Sequence, residues 1–451
     1  MPVDGARPPS TAYLDHLAAE AELRRRAAVV EPGPRSPDDA TPGGAPAVLA
    51  GVVDAAASAL EPELAAVVRT LHAHPETAFE EHDSARTLVA LLARHGIAAE
   101  TGTGGVATAF RATLGPGGGP TIAICAEYDA LPEIGHACGH NVIAAAGVGA
   151  FLALQDVLQA TDAPAGRVVL LGTPAEEGHT GKEVLARAGA FDDVDAAIMV
   201  HPYGADVADQ VWLGRRLLTW TFTGRSAHAS AQPFMGRNAL DAANLAYTGV
   251  GLLRQQLPPS DRVHAIITDG GTRPSVITER AGVRLYARSK YPDTLRDLSR
   301  RLDDVARGAA LMTGTDVQIG WDDGAHPSLP VRTNAALTAR WVAAQQRRGR
   351  DVLPAGVVSE TLAASTDFGN ISFRVPGIHP LIQVADPAVA LHTTGFAAAA
   401  GSARAVAAAV DGAAGLALTA LDYLCDDGLR AAVHDEFAAA GGAIDVPSYF
   451  D

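Results

Sequence analysis

Cys138, His140, Glu177, His201 and His392 offer one thiol, three imidazoles and a carboxylate, the donor set that borderline divalent metals accept. A mononuclear tetrahedral site uses four donors, so five point to two divalent ions with a bridging group. Zn or Mn is expected there, with Ni and Co compatible. Cys138 and His140 are two apart, so an extended loop would turn both side chains to one side, with Gly139 permitting a tight backbone. Glu176 and Glu177 are adjacent, and in extended chain they point in opposite directions. One can then bind metal while the other reaches a metal-activated water, takes its proton and delivers it to a leaving amine. That is the equipment of an amide hydrolase.

The elements that must position these groups are strands alternating with Ala-rich helices. TIAICAEYDAL, RVVLLGTPAEEG and AAIMVHP read as buried strands, separated by helical runs at Val142 to Gln159 and Gly181 to Ala190. The pattern predicts an α/β class, a mostly parallel sheet with helices on both faces. GHACGHN, PAEEGH and His201 each follow such a strand. Ligands of open α/β sheets bind outside the carboxyl ends of the strands, so the three segments should meet in one crevice. His392, in ALHTTGF before the Ala-rich C-terminal helix, is a fourth contributor.

After His201 the texture changes to an antiparallel β-α-β-β-α order running from RRLLTWTFTGRSAHAS to TDVQIGW. This predicts a small α+β unit inserted into the α/β domain. The expected division is residues 1–46 as an appendage and linker, 47–213 and 327–451 as the two parts of the catalytic domain, and 214–326 as the inserted domain. The appendage carries a short helix from Tyr13 to Val30 and the linker EPGPRSPDDATPGGAPA. Hinges are expected near Gly214 and Pro327.

The 451-residue chain is 48% hydrophobic and 19% charged, which excludes wholesale disorder. A net charge of −16 argues against a nucleic-acid partner, and Arg347, Arg348 and Arg350 read as a solvated helix end. Three scattered cysteines make no disulfide framework, the first residues have no leader pattern, and Asp411 and Asp422 interrupt the longest apolar stretch. A cytoplasmic protein without a membrane span is expected.

The motifs HAHPETAFEE, AEYDALPEIGHACGHN, PAEEG, GRSAHAS, GGTRPSVI, STDFGN and HTTGF run in order from about residue 48 to 425. In order and spacing they resemble the aminoacylase, carboxypeptidase-G and amidohydrolase family of metallopeptidases, family twenty. The likeness is to the branch of p-aminobenzoyl-glutamate hydrolase subunits, auxin-conjugate hydrolases and dipeptidases. It implies that Cys138, His140, Glu177, His201 and His392 hold a metal pair, that Glu176 is the general base, and that the protein is a dimer joined through the small domain, which also serves as a lid. It also implies that His228 stabilises the oxyanion, a contribution of ~3 kcal/mol for such a donor. Three departures stand out: Asn141 replaces a common Asp, Glu127 stands where distant members carry a ligating His, and Ser275 stands where an Asn usually holds substrate.

Arg288 becomes an alternative carboxylate partner, and His379 can line the pocket. Asp129 and His136 are candidates for orienting a ligand imidazole. Cys125 and Cys425 read as core residues, and His72, His74, His82 and His95 as solvated or capping groups. The expected activity is hydrolysis of N-acyl amino acids or small dipeptide-like amides by a homodimer. The alternatives are a p-aminobenzoyl-glutamate type hydrolase subunit, a catalytically silent metal-dependent binding protein, and a thiol hydrolase.

Overall fold

Apolar β-branched runs flanked by turn residues set the strands of the computed structural model, which describes residues 10–29 and 43–450. Along the chain come β1 (Ala99–Thr101), β2 (Phe110–Gly117), β3 (Thr121–Ala126), β4 (Gly166–Gly172), β5 (Ala196–Ile198) and β6 (His201–Tyr203). They are followed by β7 (Gly214–Thr223), β8 (Arg262–Asp269), β9 (Arg280–Ser289) and β10 (Asp316–Trp321), then β11 (Gly377–Ile378) and β12 (Leu381–Gln383).

The main sheet has the order β1-β2-β4-β3-β5-β11. β4, β3, β5 and β11 are parallel, and β1 and β2 add an antiparallel edge. The period of two divides each parallel strand between two helical layers. Ile122, Ile124, Val168, Leu170 and Ile198 join the core under the helices His140–Ala153 and Ala403–Cys425, whereas Ala123, Cys125, Val169 and Leu171 pack with Leu185, Phe191 and Phe368. The mostly parallel α/β sheet expected from the sequence is therefore present, covered on both faces.

Several local expectations need correction. The strand around AICAEYDAL ends at Ala126, which frees Glu127 and Asp129 to leave the sheet. The helix expected from Val142 to Gln159 starts at His140 and breaks at Leu154. Arg348 and Arg350 are not solvated: both fold onto Asp411, at 2.6 and 2.7 Å, because that aspartate projects from the neighbouring helix. The stretches His140–Gln159 and Ala403–Cys425 are long and apolar enough to cross a membrane by length and composition. Each is 89% buried, so they form the middle of the core.

β7 to β10 form a separate antiparallel sheet in the order β10-β7-β9-β8. The helices Ala239–Leu253 and Pro292–Thr313 cover one face, and Trp220, Phe222, Val283, Leu285, Leu298 and Leu302 give this layer its own core. The chain enters and leaves it side by side: Arg215 N donates to Ser328 O at 2.7 Å and Ser328 N to Arg215 O at 2.8 Å. The N-terminal helix Ala12–Val29 lies on the loop before residue 365, where Tyr13 Oη and Thr361 Oγ1 are 3.1 Å apart and Arg24 donates to Gly356 O. Most of the linker after it lies outside the described residues.

Candidate metal centre

Parallel strands end together, so the loops that follow β3, β4 and β5 converge at one edge of the sheet. The GHACGHN loop turns into its helix at Gly139, whose φ of 83° is left-handed. A Cβ there would press on Pro202, so the position requires glycine. Cys138 and His140 are thus brought together by a left-handed turn into a helix, rather than by the extended loop expected. His392 is also left-handed, at φ 60°, and its N–H donates to Ala137 O at 2.9 Å, which ties the HTTGF segment to the Cys138 loop.

Three overlapping sets of donor atoms result, each within 4.8 Å: Cys138, His140 and His201; Cys138, Glu177 and His392; and His140, Glu176 and Glu177. Cys138 Sγ lies 3.5 Å from His201 Nε2, and His392 Nε2 lies 3.2 Å from Glu177 Oε1. All five candidate ligands and Glu176 are therefore in one place.

The imidazoles are prepared for ligation. His140 Nδ1 is 2.9 Å from Asp129 Oδ1 and His201 Nδ1 is 2.7 Å from the Pro202 carbonyl, so each ring donates through Nδ1 and turns the Nε2 lone pair to the cluster. His140 Nε2 has no hydrogen-bond partner among the described residues. Burial and the neighbouring Glu177 push the Cys138 thiol well above its ordinary value. A thiolate there needs a cation beside it, and the donor set with its unpartnered lone pair fits a divalent metal pair.

The two adjacent glutamates are driven apart electrostatically. Burial, and then the charges of Glu177, Glu127 and Asp367, raise the Glu176 carboxyl well above the usual range. Burial also disfavours the Glu177 anion, but its bond to His392 and the proximity of His140 outweigh that and lower it. Such a divergence suits the pair to different tasks, a fixed anion at Glu177 and a proton-exchanging group at Glu176.

Asp129 does two jobs, one per oxygen: Oδ1 accepts from His140 and Oδ2 accepts from Glu177 N at 2.9 Å. Asn at this position has only one accepting oxygen. Asp129→Asn is therefore expected to weaken divalent-metal affinity about 10–100-fold, read by competition against a chelating indicator. An unchanged affinity would contradict this role.

The remaining expected site residues sit elsewhere. His379 is buried behind His201, in ring contact with Trp212 at 4.6 Å and Phe368 at 5.4 Å, and has no hydrogen-bond partner for either ring nitrogen among the described residues. His136 is likewise buried and unpartnered. Arg288, on β9, donates to Ser365 Oγ at 3.1 Å, two residues before Asp367, whose N–H donates to Glu176 Oε1 at 3.3 Å. His228 and Ser275 lie together, with Ala229 N donating to Ser275 O at 3.0 Å. His228 is exposed, and no described hydrogen bond or ring contact joins it to the metal cluster.

Sequence reasoning gave no role to Glu81, Lys182 or Asp367. Glu81 is fully buried and accepts from Ala175 N at 2.9 Å, holding the left-handed residue (φ 62°) that precedes Glu176. Its signal was the HAHPETAFEE motif, as STDFGN was for Asp367. A lysine in GKEVLARAG carries no such signal.

The geometry agrees with what the chain resembles. Residues 123–410 match the model of peptidase family M20/M25/M40. The chain is 39% identical to the Xaa-Arg dipeptidase of Mus musculus, over 83% of this chain and 88% of that protein. It is 37% identical to one of the p-aminobenzoyl-glutamate hydrolase subunits of Escherichia coli (strain K12), over 58% of each. In structure it resembles a dinuclear metal-binding M20 peptidase of Bacillus subtilis, with a TM-score of 0.61 at 21% identity, covering 81% of this chain and 99% of that one. With most of the sheet and the whole donor cluster inside the matched segment, the chain belongs to peptidase family M20/M25/M40.

Proposed function

We propose that this metal-dependent hydrolase cleaves the amide bond of N-acyl amino acids or small dipeptide-like substrates, with Zn or Mn as its two divalent ions. The observation that carries the reading is the packing of five donor side chains around one edge of the sheet with Glu176 beside them. Cys138, His140, Glu177, His201 and His392 would hold the ions, with Cys138 the donor shared by the set with His140 and His201 and the set with Glu177 and His392. When bound, divalent ions polarise a scissile carbonyl and lower the pKa of water, to about 7 for zinc.

The chain's own groups do the rest. Glu176 takes the proton of the attacking water and returns it to the departing nitrogen, a contribution of about 10²–10⁴-fold. Arg288 faces the substrate from the small sheet, His379 backs the His201 wall, and Ser275, which lies beside His228, contacts the substrate from a second copy of the chain. His228 supplies the oxyanion donor from a second copy of the chain. Support for a homodimer comes from β8, an edge strand with no partner on one side among the described residues, whose Ile266 and Ile267 are 61% and 41% exposed. All three cysteines are free, and a thiolate ligand persists best in a reducing compartment such as the cytoplasm.

The 37% identity to a p-aminobenzoyl-glutamate hydrolase subunit favours a second reading, in which that amide is the substrate and a companion chain is needed. Release of free amine from N-acyl amino acids, dipeptides and p-aminobenzoyl-glutamate by the purified single chain separates them. Turnover of the first two classes is expected. Turnover of none of the three would contradict the proposal.

A further inference from the structure

Lys182 is the one lysine or arginine among the described residues with no exposed surface at all. It lies at the start of the helix Gly181–Arg187, beneath the site, surrounded by Glu127 and Asp367, which are also fully buried. It holds Asp367 twice, through its backbone N–H to Oδ2 at 2.8 Å and through Nζ to Oδ1 at 2.6 Å, and Nζ also donates to Glu127. Asp367 N–H then donates to Glu176 Oε1 at 3.3 Å, and Glu127 Oε2 stands 3.5 Å from His140 Nε2. One ammonium therefore ties together the loop leaving β3, the loop leaving β4 and the Thr366–Phe368 turn.

A dry cluster of charges is an expensive way to fill a core. Replacing buried ion pairs with apolar residues of similar volume is often neutral or stabilising, so stability alone does not explain this triad. What it does provide is position. The Asp367 amide is the one backbone donor to the Glu176 carboxylate among the described hydrogen bonds, and only Lys182 fixes both oxygens of that aspartate.

We propose that Lys182 is a positioning residue for the hydrolysis: by clamping Asp367 it holds the Glu176 carboxylate at the angle from which it exchanges protons. This rests on Glu176 being the general base. The geometry places the effect on kcat, since neither Lys182 nor Asp367 belongs to the donor sets of the metal cluster.

The test uses the full-length, metal-loaded protein and the variants Lys182→Met, Lys182→Arg, Asp367→Ala and Glu176→Gln, each assayed for kcat, KM, bound metal and thermal midpoint. Lys182→Met is expected to lower kcat about 10–100-fold, the range for loss of a supporting partner, with KM within about twofold and metal content unchanged. Lys182→Arg should recover part of the loss. If Lys182→Met does not fold, Asp367→Ala cuts the same clamp and should show the same loss confined to kcat. Full kcat in a folded Lys182→Met or Asp367→Ala, or a loss that tracks lost metal, overturns the inference. An inactive Glu176→Gln beside a fully active Lys182→Met sinks this inference alone, whereas an active Glu176→Gln removes the reading on which it rests.

Discussion

Glu176→Gln lowers kcat by about 10²–10⁴-fold while leaving the bound metal and the fold in place. The substitution keeps the side-chain volume and the oxygen that accepts from Asp367 N–H. It removes the capacity to carry a proton. Glu176 is buried among Glu177, Glu127 and Asp367, whose charges raise its proton affinity, so the amide also relieves repulsion and the variant should be no less stable than the parent. Elemental analysis, thermal unfolding and the rate of amine release check the three parts separately. Substantial turnover in the variant would remove Glu176 from the mechanism.

The second large effect is at Cys138. Its sulfur belongs both to the set with His140 and His201 and to the set with Glu177 and His392. Cys138 is the one residue these two sets have in common, so Cys138→Ala removes a donor from both. Bound metal is expected to fall below two equivalents and kcat to fall by at least about 10²-fold, given that metal-activated water supplies the nucleophile. The side chain is small, and its loss should cost about 1 kcal/mol of packing, so circular dichroism should be unchanged. Two tightly bound equivalents in that variant would show that sulfur does not bridge the ions.

What made the centre legible is the coincidence of donors with strand ends. β3 and β4 are apolar runs buried on both faces; PAEEGH follows β4 almost at once, and GHACGHN follows β3 after the EYDALPEI loop. β1 and β2 escaped notice because β1 has three residues and β2 ends in Gly-Pro-Gly, with a register shift between Leu114 and Gly117. Lys182 was invisible for a different reason. In the helical pattern GKEVLARAG a lysine reads as a solvated residue, and only the meeting of three distant loops encloses it. The converse holds for His228 and Ser275: their motifs stand out in sequence, yet the chain places them together with no described hydrogen bond or ring contact to the donors. Spacing identifies the chemistry of a residue more readily than the surface it will face.

Hydrolysis of amides by this protein should depend on the loading of divalent metal into the cluster of five donors. The most direct test follows amine release from the best substrate of the panel as Zn or Mn is added stepwise to protein stripped by a chelator. Activity should be absent at the start and rise to a plateau at two equivalents per chain. Full activity in the stripped protein, or none at any metal loading, would contradict it.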